Sequence, residues 1–152
     1  MGELFGSMYC WFEDFFGIEL ANYLWGQLSP LQTTNMFVTI GLWMLGISAA
    51  IVLIYYYVIN HPRLNNWWGW GIFLLINMVT NLILGWQFLQ MDYNAGKMVK
   101  EDPATGEMVD LLISEANIWS FATTNMIFAF IWFVLISYTV KWGSTNCSRA
   151  PF

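Results

Sequence analysis

The sequence predicts an all-α integral membrane protein with three transmembrane helices, an N-terminal interfacial amphipathic helix and a short extracytoplasmic β-hairpin loop. Three observations lead there. Of 152 residues, 58% are hydrophobic, 19% aromatic and only 10% charged, against about 25% charged residues in a soluble domain. Charge is absent between Glu19 and His61, from Leu64 to Met91 and from Ala116 to Val140. Threading those three runs through a bilayer also puts all ten acidic residues on one face.

Five basic and ten acidic side chains cannot cover the surface a soluble fold of this length leaves in water, so lipid is the expected solvent. The aromatic content argues against disorder, two cysteines against a disulfide scaffold, and a net charge of -5 against binding nucleic acid.

Residues 1–30 carry large apolar side chains with acids at intervals, as in Trp11-Phe12-Glu13-Asp14-Phe15-Phe16. A helix there gathers Phe12, Phe15, Phe16 and Tyr23 and turns Glu13 and Asp14 away, which suits a segment lying in the interface. Surface-bound helices normally meet anionic lipid with Lys and Arg, so this acidic one is expected to dock on the bundle or on a neighbouring subunit. Gly17 and Gly26 are its expected breaks. The first 62 residues lack Lys and Arg, so no cleavable signal is expected. Gly6 stands where myristoylation wants Ser or Thr.

The first span is assigned to residues 31–60, longer than the roughly 20 residues a bilayer needs. Asn60-His61-Pro62-Arg63 then turns the chain tightly, because proline fixes φ and cannot donate to a continuing helix. The second span covers 64–91. An acidic extracytoplasmic loop follows at 92–115, where similar short runs flank Asp102-Pro103-Ala104-Thr105-Gly106. Pro103 presets a turn and Gly106 accepts the left-handed conformation, which predicts a hairpin. Such a hairpin is marginal alone and is expected to rest on the N-terminal segment, the membrane surface or a partner. Asp110 is the expected cap of the helix entering the third span, 116–142; residues 143–152 form a tail.

Arg63, Lys141 and Arg149 share one face without an acid, while Lys97 and Lys100 lie among the ten acids. The positive-inside rule therefore places the N-terminus outside and the C-terminus in the cytoplasm of a cell inner (plasma) membrane. Aromatics at the span ends read as two interfacial belts: Trp25, Trp86, Tyr93 and Trp119 at one level, Tyr55, Tyr56, Tyr57, Trp67, Trp68, Trp70, Tyr138 and Trp142 at the other.

No Asp, Glu, Lys or Arg falls inside a span, which weighs against proton relays, voltage sensing and ion-coupled transport. The polar candidates are Asn35, Thr39, Asn77, Thr80, Asn81, Gln87, Thr124 and Asn125. Asn77 and Asn81 share a helical face at i and i+4. Counted from the outer ends, Asn81 and Asn125 both lie about 13–15 Å deep at 1.5 Å per residue, so they can meet. Asn35 and Gln87 form a shallower layer. Amides in hydrocarbon must face protein or water. Interhelical glue is the first reading of this set, and the lining of a water-filled path is the second. Gly46 and Ala50, four apart, permit close packing without specifying a partner.

His61 is the only histidine, so no metal site is expected. Cys10 and Cys147 fall on opposite predicted faces, leaving only a Cys10 pair between two subunits. No phosphate-binding glycine loop, nucleophile-base pair or intramembrane carboxylate pair is visible, and the loop acids read as a solvated face rather than a calcium site. The expectation is a non-enzymatic membrane subunit without cofactors. Its partners are membrane lipids and either copies of itself (a homo-oligomer) or other membrane subunits. The alternative is a homo-oligomeric channel with an Asn/Thr-lined path.

Overall fold

The structure, a computed structural model, describes residues 2–31, 33–59, 66–102 and 106–141. Three short helices come first: α1 (Gly2–Cys10), α2 (Glu13–Phe16) and α3 (Ile18–Trp25). Then follow α4 (Met36–Leu53), which continues as a π-helical turn over Ile54–Val58, and α5 (Trp67–Asn94). Strands β1 (Val99–Glu101) and β2 (Met108–Asp110) precede α6 (Glu115–Lys141). Three stretches are long and apolar enough to cross a membrane: Met36–Val58, Trp67–Asn94 and Glu115–Lys141, of 23, 28 and 27 residues. At 1.5 Å per residue they run roughly 35, 42 and 40 Å, each longer than the hydrocarbon layer of about 30 Å. The residues expected to form the turn between the first two spans, 60–63, and the tail 143–152 with Trp142 and Cys147 lie outside the described residues, as does Pro103.

The chain divides into two compact units, one of Met1–Leu42 with Ile83–Thr124 and one of Trp43–Leu82 with Asn125–Phe152. In the first, the N-terminal segment is broken where the glycines stand. Gly17 separates α2 from α3 with φ 98°, and Gly26 ends α3 with φ 76°, a left-handed geometry that costs a side-chain-free residue little. The Gly26 N–H donates to the Tyr23 carbonyl at 2.9 Å and the Gln27 N–H to that of Asn22 at 3.2 Å, the paired bonds of a Schellman motif. The expected grouping of Phe12, Phe15, Phe16 and Tyr23 holds only in part. Phe16 and Tyr23 are buried, but Phe15 is exposed; within α2 the neighbouring positions 15 and 16 point about 100° apart, so only one of them faces the core.

The core of this unit is aromatic. Tyr9 stacks on Phe37 at 5.3 Å and on Phe121 at 5.4 Å. Phe16 meets Phe121 edge-on at 5.4 Å, and Trp25 meets Phe37 edge-on at 5.6 Å. Such pairs each contribute about 0.5–1.5 kcal/mol beyond area burial.

The predicted hairpin is present. β1 and β2 pair antiparallel with Val99 opposite Asp110 and Glu101 opposite Met108, and Gly106 has φ 70°. It rests on the N-terminal segment: the Leu112 N–H donates to the Glu19 carboxylate at 2.8 Å, and the Ser29 hydroxyl to the Lys97 carbonyl at 2.9 Å. Asp110 is not a helix cap. It belongs to β2, and α6 starts five residues later, after Ser114. There the Asn117 side-chain oxygen accepts from the Ser114 N–H at 3.1 Å, while the Asn117 N–H donates back to the Ser114 hydroxyl at 3.4 Å. This reciprocal arrangement is a capping box with Asn in place of Glu.

In the second unit Val52, Tyr55, Tyr56, Trp70 and Phe133 form a buried cluster. This corrects the assignment of Tyr55, Tyr56 and Trp70 to an interfacial belt. The π turn, closed by the Ile59 N–H on the Ile54 carbonyl at 3.0 Å, widens the helix. Both consecutive tyrosines point inward, fully buried and 4.9 Å apart. Trp70 packs on Phe133 at 5.7 Å and donates its indole N–H to the Ser137 hydroxyl at 3.4 Å. Tyr57, Trp67, Trp68 and Tyr138 are exposed, as a belt requires.

Candidate functional site

An amide side chain in an apolar helix must find a partner, since no water is at hand to satisfy it. Three of the predicted polar residues solve this together in the second unit. Asn77, Asn81 and Asn125 are all fully buried. Asn77 donates its side-chain N–H to the Ala129 carbonyl at 2.9 Å. Asn81, one turn along the same face, donates to the Asn77 carbonyl at 2.9 Å and to its side-chain oxygen at 3.1 Å. Asn125 donates to the Asn81 carbonyl at 2.7 Å. The amides thus stitch α5 to α6 over two successive turns, in both directions.

The ladder is not fully satisfied. The Asn81 side-chain oxygen is buried without a hydrogen-bond partner among the described residues, and so is the Ser48 hydroxyl. Ser48 was not among the predicted candidates, because a single hydroxyl in an apolar run gives no periodic signal.

The other candidates do not join this layer. Thr124 is buried and donates to the Ser120 carbonyl at 3.0 Å in its own helix, a local solution that needs no neighbour. Thr80 is half-buried. In the first unit Asn35 is half-buried with its side-chain oxygen unpartnered among the described residues, while Gln87 is exposed. Thr39 is exposed and lines a groove of about 290 Å³ with Thr34, Met36, Phe88, Met91 and Asp92.

That groove borders a polar cluster which composition concealed. Asp92 is buried, although the loop acids as a class were expected to be solvated. Its carboxylate accepts from the Tyr23 hydroxyl at 3.1 Å and pairs with the Lys97 ammonium at 2.8 Å. Burial, joined by the adjacent Asp92 charge and their hydrogen bond, pushes the Tyr23 phenol above its ordinary range. Burial alone does the same to Tyr9. Asn117 ties α6 to the N-terminal segment by donating to the Phe16 carbonyl at 2.7 Å. The one available signal was spacing, with Asp92 the first charge after a long neutral run and five residues before Lys97.

Among the described residues no three His, Cys, Asp or Glu side chains gather to hold a metal, and Cys10 is a free thiol that accepts the Trp25 indole N–H at 3.3 Å. Chemically the amide ladder is suited to fixing helices against one another, and the Tyr23-Asp92-Lys97 cluster to anchoring the end of α5. No family model, no curated protein and no solved structure matches the chain.

Proposed function

We propose that the protein is a non-enzymatic integral membrane subunit, which crosses a cell inner membrane three times with its N-terminus outside. It assembles laterally with copies of itself or with other membrane proteins. The observation that carries this reading is the outer face of α5, where Ile72, Leu75, Ile76, Val79 and Ile83 are 44–62% exposed. Their spacing makes one apolar stripe, and only 22% of the most apolar window of this helix is buried. Lipid or a neighbouring helix must cover such a stripe. The inward, internally bonded Asn77, Asn81 and Asn125 support a structural role for the amides. The test is particle mass in mild detergent or nanodiscs. A multiple of the 17.6 kDa chain or a stable complex with other membrane proteins is expected; a lone monomer at all protein-to-lipid ratios overturns the assembly.

A homo-oligomeric channel is the second reading, favoured by the unpartnered Asn81 oxygen and by the exposed Thr39 and Gln87. Purified protein in planar bilayers should then conduct, and Asn81→Leu should change the conductance while leaving the oligomer intact. If that substitution only alters stability, the amides are glue.

A further inference from the structure

We propose that the second unit holds a specific site for an anionic phospholipid, with one acyl chain in a groove between α5 and α6 and the phosphate at the basic end of α6. This rests on the membrane reading above. The groove has a volume of about 450 Å³ and is lined by Trp67, Trp70, Phe130, Ile131, Val134 and Leu135, a size within the roughly 300–1,000 Å³ of small-molecule sites. Its walls are hydrocarbon and indole. Trp70 already spends its N–H on Ser137, whereas Trp67, 64% exposed, lines the groove at the start of α5 with an amphipathic ring of the kind that meets headgroups.

Two features select lipid over a protein helix as the occupant. Seams between membrane helices are built on Gly, Ala, Ser and Thr, which let backbones approach, and none of these lines the groove. Charge supplies the second. Among the described residues of this unit Lys141 is the one charged side chain, so the fixed charge there is complementary to a phosphate. Lys141 stands in the last turn of α6, six residues beyond Leu135. That is about 9 Å along the axis, within the span from the upper part of an acyl chain to its headgroup, and a lysine reaches further by extending its stem toward the interface.

The experiment compares phosphatidylglycerol and phosphatidylcholine with identical acyl chains, both offered to the detergent-purified full chain, and reads retained lipid by native mass spectrometry after a delipidating wash. Retention of one phosphatidylglycerol per chain, well above phosphatidylcholine, is expected. Ile131→Trp, which fills the groove, should abolish retention of either lipid. Lys141→Gln, which keeps a polar side chain of similar length and removes the charge, should lower phosphatidylglycerol retention roughly fivefold, the worth of one cation near an anionic surface, without changing phosphatidylcholine. Equal retention of the two lipids by the wild type, or retention of phosphatidylglycerol unchanged by Lys141→Gln, overturns the site. Alkaline carbonate extraction of cells separates this from failure of the parent reading: release of the chain into the soluble fraction sinks both, whereas a pelleted chain without lipid preference sinks the site alone.

Discussion

Asn125 donates its side-chain amide to the backbone carbonyl of Asn81 at 2.7 Å, while the Asn81 side-chain oxygen finds no partner among the described residues. The two residues therefore have opposite energetic standing, although both are fully buried asparagines. Hydrogen bonds between membrane helices average about 0.6 kcal/mol and reach about 1.7. Asn125→Leu should cost an amount in that range. Asn77→Leu should match or exceed it, since Asn77 both donates to Ala129 and accepts from Asn81. Asn81→Leu deletes an orphaned acceptor but also takes the donor from the Asn77 side-chain oxygen, so its cost should stay below that of Asn77→Leu, which loses the bond to α6 as well. Reversible unfolding in mixed micelles ranks the variants; Asn81→Leu as the most damaging would contradict the bonding pattern.

The Tyr23-Asp92 contact predicts an alkaline transition. The folded Tyr23 pKa lies above the ordinary value near 10, through burial first and the Asp92 charge second. A raised folded pKa contributes stability that is fully present below about pH 10 and is lost as pH rises through the folded value. Stability should hold at neutral and mildly alkaline pH and fall beyond it. Ultraviolet phenolate absorbance follows the event, and subtracting a Tyr23→Phe titration isolates Tyr23 from Tyr9. In Asp92→Asn the Tyr23 phenol should ionise at lower pH, yet still later than a free phenol, because burial remains.

How far these contacts were readable beforehand depends on what each residue type signals. The three long helices follow from runs without charge, and the hairpin from Pro103 and Gly106, whose backbone preferences are local. The level of Asn81 and Asn125 followed from counting residues inward from two span ends, which works because helical rise is constant. Rotation about the helix axis had no such signal. Helices apolar on nearly every side present no distinct face, so nothing in the sequence separates Gln87 and Thr39, both exposed, from the buried Asn77, Asn81 and Asn125. Tyr55, Tyr56 and Trp70 were assigned to the interface because tyrosine and tryptophan serve cores and belts alike, and only the π turn and the packing on Phe133 distinguish them. Asp92 was grouped with the solvated acids for want of any view of Tyr23, 69 positions earlier.

Gly41 gives a packing prediction. A Cβ placed there would collide with the Phe5 ring, and Phe5 is itself buried, so α1 and the start of α4 approach by virtue of the missing side chain. Gly41→Ala should destabilise by about 1–3 kcal/mol, as overpacking does. Phe5→Leu, which withdraws the clashing edge, should recover part of that loss. The double substitution should therefore cost less than the sum of the single ones. Strict additivity in a thermal unfolding series would show that the two residues do not share the contact.

The segregation of charge makes topology the most exposed prediction. Glu3 in α1 and Glu107 beside β2 are both exposed, and both fall on the acidic side of the three-span topology proposed above. In a Cys10→Ser, Cys147→Ser background, Glu3→Cys and Glu107→Cys should react with a membrane-impermeant maleimide added to intact cells. Retaining Cys147 alone should give a thiol labelled only after the membrane is opened. Cys10 itself is unsuited to the assay, being half-buried against the Trp25 indole. The outcome tests the span count independently of orientation: an inverted chain protects both engineered thiols together, whereas opposite accessibility of positions 3 and 107 requires an odd number of crossings between them. The latter result would remove the physical basis for three spans, because the charge-free run from residue 20 to residue 62 and the run from Leu64 to Met91 would no longer form a hairpin returning to the side on which it began.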